Sequence, residues 1–125
     1  MQCLLIDDDQ DDQEVFMMIL EKINRDINCL TANDGVEAIS LLTSRQGFIP
    51  DYIFLDVNMP RMNGIECLQN IRTLDHLKNC KIFMYSTTSE TSVVEQTKKL
   101  GVADFIVKPA SPVALKETLA AILIN

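Results

Sequence analysis

The sequence predicts a doubly wound α/β domain in which five helices cover both faces of a five-stranded parallel sheet. Three observations predict it. Short β-rich apolar runs alternate with longer amphipathic segments five times over, and strict β–α alternation implies parallel strands joined by right-handed crossovers. The third and fourth runs, residues 52–55 and 82–85, are apolar on both faces, as strands covered from each side must be. Helix start and stop residues fall between the runs, where the alternation needs them.

The elements follow in order. Strands are expected over residues 2–6, 27–32, 51–55, 80–85 and 103–107. Asn28-Cys29-Leu30-Thr31 is the most mixed in polarity and reads as an edge. The first helix carries Val15/Phe16, Ile19/Leu20 and Ile23 at helical spacing, and the second Ile39 and Leu42. Ile65, Leu68 and Ile71 mark the third, Val93/Val94, Thr97 and Leu100 the fourth, and Leu115, Leu119 and Ile122/Leu123 the fifth. Asp34-Gly35-Val36-Glu37 has capping-box spacing, Ser89 is expected to cap the fourth helix, and Ser111-Pro112 places a cap before proline at the first helical position. Gly101 follows the fourth helix where a left-handed cap falls.

The 125 residues fit one domain, 1–125, and 47% apolar content is that of a folded chain. No apolar run approaches the ~20 residues of a membrane span. The amino terminus shows neither a basic region nor a cleavage site, so a cytoplasmic location is expected. A net charge of −7 argues against nucleic acid and anionic membrane as partners. The four cysteines are widely spaced and His76 is the single histidine, a pattern unlike a zinc site.

The chemistry-bearing residues lie at strand ends. Asp7-Asp8 follow the first strand, Asp56 the third, Ser86 the fourth and Lys108 the fifth. In an open parallel sheet these ends line one crevice, where ligands bind. Converging carboxylates repel one another unless a cation joins them, and Mg²⁺ suits hard oxygen ligands, with Mn²⁺ an alternative. With a metal present, a carboxylate can act as nucleophile toward phosphorus. Phosphoryl transfer then needs little beyond positioning and charge neutralisation, for which Lys108 offers an ammonium and Ser86 a hydroxyl. Three carboxylates balance one divalent cation plus one lysine, leaving the site able to accept a phosphoryl dianion. Asp9, Asp11 and Asp12 read as a solvated acidic run.

These residues, with Leu55-Asp56-Val57-Asn58-Met59-Pro60, Gly64 and Lys108-Pro109, resemble the response-regulator receiver domains of the CheY type over the whole chain. The resemblance implies a flavodoxin/CheY-like (βα)5 fold with strand order 2-1-3-4-5. It implies a stand-alone regulator that takes a phosphoryl group on Asp56 from a histidine kinase or histidine phosphotransfer protein. Catalysis would be self-directed, not enzymatic turnover, and the output would be altered binding of an unidentified downstream protein. It further implies Mg²⁺ held by Asp7, Asp8, Asp56 and the Asn58 backbone carbonyl. Ser86 and Phe105 become the switch pair, expected as neighbours across the fourth and fifth strands, Asn58 and Thr88 the positions that tune phosphoryl lifetime, and Lys108-Pro109 a cis bond.

Phe105 stands where tyrosine is frequent in the family, so a switch there works by packing. Thr87 stands where many relatives have alanine or glycine. Taken singly, Ser86-Thr87-Thr88-Ser89 reads as a polar helix-capping loop and Phe105 as a strand aromatic; the joint pattern carries the functional reading. Three rivals are weaker. A haloacid-dehalogenase phosphatase needs Thr or Val where Asp11 stands. An EF-hand loop over Asp7, Asp9 and Asp11 needs glycine at Asp12 and glutamate at Met18. A receiver-like scaffold that never takes phosphate is marked by a missing aspartate or lysine, and neither is missing.

Overall fold

The computed structural model describes residues 1–44 and 48–124. The order along the chain is β1 (Gln2–Ile6), α1 (Gln10–Ile23), β2 (Asn28–Ala32), α2 (Gly35–Ser44), β3 (Tyr52–Leu55) and α3 (Gly64–Arg72). A 3₁₀ turn at Asp75–Leu77 leads into β4 (Lys81–Ser86), α4 (Thr91–Lys99), β5 (Asp104–Val107) and α5 (Pro112–Leu123). The strands form one parallel sheet in the order β2-β1-β3-β4-β5. The predicted architecture is the observed one, with strand ends displaced by a single residue.

Alternation along the strands divides the core into two layers. Leu4, Ile6, Ile53, Leu55, Ile82 and Met84 face α2 and α3, packing on Ala38, Leu42, Cys67, Leu68 and Ile71. Cys3, Leu5, Phe54, Phe83, Tyr85 and Ile106 face α1 and α5, against Phe16, Ile19, Leu20, Leu115 and Leu119. In this second layer Phe16 meets Phe54 edge-on at 5.1 Å and Tyr85 at 5.5 Å, geometry that aromatic rings favour. The four cysteines are free thiols. Burial pushes Cys3 up to about 11 and Cys29, Cys67 and Cys80 up to about 12, so they pack as small hydrophobes.

Most helix ends are made as the sequence predicts. Asp34 Oδ1 accepts the Glu37 N–H at 2.8 Å, Ser111 Oγ accepts the Ala114 N–H at 3.2 Å, and Gly101 has φ +86°. The fourth helix differs. Its cap position is Glu90 rather than Ser89, without a side-chain cap bond. The strand before it runs on to Ser86, and the loop over the sheet edge takes one residue more before the helix can start. His76 is exposed on the 3₁₀ turn and ties it to the Leu42 carbonyl through Nε2, 3.1 Å away.

Candidate functional site

The crossing order places β1 and β3 side by side at the middle of the sheet, so their carboxyl ends deliver Asp7 and Asp56 to one point. Main-chain bonds prolong the ladder there: Asp7 N–H to Ala32 O at 3.0 Å and Asp56 N–H to Ile6 O at 2.9 Å. Asp7 is fully buried and Asp56 nearly so, with Asp8 exposed beside them. Carboxylate oxygens from the three lie within 4.8 Å of one another.

Lys108 reaches this point from the far end of β5. Its N–H bonds to Ser86 O at 2.8 Å, so the ends of β4 and β5 are held together. The side chain crosses the Tyr85 ring, with Nζ 5.5 Å from the ring centre, a favourable place for an ammonium. Nζ ends 2.8 Å from Asp7 Oδ2, 2.8 Å from Asp12 Oδ2 and 3.3 Å from Asp56 Oδ2. Burial pulls the Lys108 pKa down, but the bonded Asp12 carboxylate and the Asp7 and Asp56 carboxylates beside it outweigh it, so the net shift is upward and the ammonium is held. Burial pushes the Asp7 carboxyl up to about 6 against the opposing pull of Lys108 and the Asp9 N–H. Burial likewise pushes Tyr85 up to about 12, leaving a neutral phenol beside the lysine.

The residues fit a hard divalent cation. Asp7 Oδ2 sits near Nζ but off a hydrogen-bonding direction, and is a buried carboxylate oxygen that accepts no hydrogen bond. Such an oxygen is costly unless something else binds it. The donor set is all oxygen and rich in carboxylate, as Mg²⁺ or Mn²⁺ requires.

The loop after β3 is held from two sides. At Pro60-Arg61-Met62 the Met62 N–H bonds to Pro60 O at 2.7 Å, and Arg61 has φ +64°, a left-handed conformation that costs a non-glycine residue about 1 kcal/mol or more. The Arg61 guanidinium grips Asp34 Oδ2, its Nε at 3.0 Å. The Glu37 N–H and Arg61 together hold the Asp34 carboxyl below its ordinary value. A loop fixed this way keeps Asn58, exposed two residues beyond Asp56, in a defined place.

Residues 3–120 match the family model of the response regulator receiver domain. The chain belongs to the receiver family. This receiver is 33% identical over 123 residues to a chemotaxis protein CheY homolog of Campylobacter jejuni, covering 98% of this chain and 92% of that one. Among solved structures, the phosphorylated cyanobacterial phytochrome response regulator RcpA superposes with a TM-score of 0.89 at 26% identity, over 97% of this chain and 89% of that chain. Chemotaxis response regulator CheY4 of Vibrio cholerae gives 0.82 at 30% identity, over 98% of both chains. The receiver is therefore a response-regulator module of two-component signal transduction.

The receiver brings Asp7, Asp8, Asp56 and Lys108 together as the sequence predicts, with Ser86 buried next to Lys108 at the end of β4. Thr88 is half-buried, its N–H 3.4 Å from Ser86 Oγ. Three expectations need correction. Phe105 is not the direct neighbour of Ser86: the register pairs Ser86 with Val107 and Met84 with Phe105. Side-chain alternation puts Phe105 on the face of Ser86 but one diagonal step away. The Lys108-Pro109 bond is trans, since no described peptide is cis; trans is the lower-energy isomer for proline, and Lys108 reaches the carboxylates from it.

The third correction concerns the acidic run. Asp9 caps α1 by accepting the Asp12 N–H, and Asp11 is exposed on that helix. A helix from Gln10 onward also rules out a calcium loop over these residues. Asp12, however, is a partner of Lys108. The signal was its position three and four residues before Val15 and Phe16, beside the inward stripe of α1; a carboxylate there can reach Lys108 while staying partly open to solvent.

Proposed function

We propose that Asp56 accepts a phosphoryl group from a histidine kinase or histidine phosphotransfer protein. The observation that carries this reading is the meeting of three carboxylates and the Lys108 ammonium at the carboxyl ends of the central strands. An oxygen of Asp56 attacks phosphorus, a P–O bond forms as the P–N bond of a phosphohistidine breaks, and the leaving imidazole takes its electron pair and a proton from water. A Mg²⁺ or Mn²⁺ ion held by Asp7, Asp8, Asp56 and the Asn58 carbonyl supplies, when bound, neutralisation of the phosphoryl oxygens. Lys108 donates to one of those oxygens and Ser86 Oγ turns to another. Asn58 and Thr88 flank the acceptor and set how readily water reaches it.

The domain so understood turns over no separate substrate. It promotes its own phosphorylation and hydrolysis, and its product is a changed surface for a downstream protein. RcpA, of similar fold, has been crystallised in a phosphorylated form, which supports the reading. No helix among the described residues is long and apolar enough to cross a membrane. The test is phosphotransfer from a panel of radiolabelled histidine kinases. Rapid, Mg²⁺-dependent transfer from a cognate kinase, lost in Asp56→Asn, is expected. Transfer that survives Asp56→Asn or chelation of the metal contradicts the reading.

A further inference from the structure

Lys108 has three N–H groups, and its shortest hydrogen bond goes to Asp12, not to Asp56. Nζ donates to Asp12 Oδ2 at 2.8 Å and to Asp56 Oδ2 at 3.3 Å, and is ion-paired with Asp7 Oδ2 at 2.8 Å from the side of β1. Asp12 is firmly based: its N–H is bonded by the cap residue Asp9 at 3.1 Å, so its carboxylate starts from a fixed first turn of α1. It is also partly open to solvent, its side chain 39% exposed against 9% for Lys108. The site therefore holds one carboxylate more than a divalent cation and a single ammonium balance.

We propose that Asp12 is a positioning residue that acts through Lys108 as a brake on phosphorylation. It draws the ammonium toward α1, away from Asp56, and a phosphoryl group arriving on Asp56 must compete with Asp12 for it. The inference rests on Asp56 as phosphoacceptor, and adds to that reading a residue that sets how easily the acceptor is filled. Removing the Asp12 charge frees Lys108 for the phosphoryl oxygens and strengthens their binding. Asp11 provides the control: it sits on the same turn and is exposed, carries the same charge, and forms no ion pair with Lys108.

The experiment titrates beryllofluoride, a phosphoryl mimic, into the full chain with saturating Mg²⁺, following amide NMR shifts of residues 86–108. Wild type, Asp12→Asn, Asp12→Glu and Asp11→Asn are compared at low and high salt, with melting curves to verify folding. Asp12→Asn is expected to bind beryllofluoride about three-fold more tightly or better, a size appropriate to one partly exposed ion pair. Asp12→Glu should return most of the way to wild type, and Asp11→Asn should change binding far less. Equal affinities for Asp12→Asn and wild type overturn the proposal. Equal effects of Asp12→Asn and Asp11→Asn also overturn it, because general charge would then account for both. Failure of wild type itself to bind beryllofluoride overturns the phosphoacceptor reading, and the brake with it.

Discussion

The backbone carbonyl of Asp56 occupies the space a side chain on Gly64 would need. A Cβ built on Gly64 falls 2.1 Å from Asp56 O and 2.8 Å from Val57 Cα, while the Gly64 N–H bonds to Val57 O at 2.8 Å. The start of α3 is thus pressed against the backbone that carries Asp56. Neither neighbour is a flexible side chain, so a methyl group can be admitted only by moving the site.

Gly64→Ala is accordingly expected to destabilise the fold by about 3 kcal/mol and to weaken Mg²⁺ binding together with it. Urea unfolding and a Mg²⁺ titration followed by NMR measure the two effects. A variant with unchanged stability and metal affinity would mean that the close approach is not needed.

The Asp34–Arg61 pair makes a pH prediction. Asp34 has a lowered pKa, first from the Glu37 N–H and then from Arg61. A lowered carboxyl contributes stability above its unfolded value and loses it as pH falls through the folded value. Asp34→Asn keeps a cap acceptor but removes the charge, and should cost about 1 kcal/mol at pH 7, since Arg61 is largely exposed. The difference from wild type should persist down to the ordinary value of 3.8 and close below it. Urea midpoints at pH 7, 5 and 3 measure this; a gap that widens in acid contradicts it.

Asp8 belongs to the carboxylate cluster and has no ion pair with Lys108. Its charge is therefore uncompensated without metal. Asp8→Asn should raise the melting temperature of the metal-free protein by roughly 3 °C, the effect of somewhat under 1 kcal/mol. Mg²⁺ should stabilise wild type increasingly with concentration and stabilise Asp8→Asn far less. Equal responses of both proteins to Mg²⁺ would remove Asp8 from the metal site.

If phosphorylation moves Ser86, the register between β4 and β5 decides which residues feel it. Movement of Ser86 toward a phosphoryl group is felt first by Val107 opposite it, then by half-buried Phe105 on the same face. Full burial of that ring is worth roughly 1–2 kcal/mol at about 25 cal/mol per Å², enough to shift a balanced equilibrium about ten-fold. Ser86→Ala should keep Asp56 labelling and weaken the beryllofluoride-induced shifts across residues 86–116, and Phe105→Ala should uncouple them. Wild-type responses from both variants would place the route elsewhere.

The alternation of apolar runs made the fold legible, because a parallel sheet covered on both faces leaves a pattern that few other arrangements share. Asp7, Asp8, Asp56, Ser86 and Lys108 were legible for a related reason: each ends a strand, and the topology brings those ends together. Asp12 was hidden because it lies within a helix, in a run of acids whose members differ only by which face of α1 they occupy. The diagonal offset of Ser86 and Phe105 was hidden because the register of β4 on β5 is set by packing across the sheet and by where each loop ends. The late start of α4 belongs to the same class, a choice between Ser89 and Glu90 that local preference alone does not make.

Mass spectrometry of the chain incubated with acetyl phosphate tests the central claim most directly. With Mg²⁺, one phosphoryl group should appear on the peptide carrying Asp56, and none should appear in Asp56→Asn or after chelation of the metal. A phosphoryl group that still attaches with Asp56 replaced, or that maps to another residue in wild type, would contradict the account.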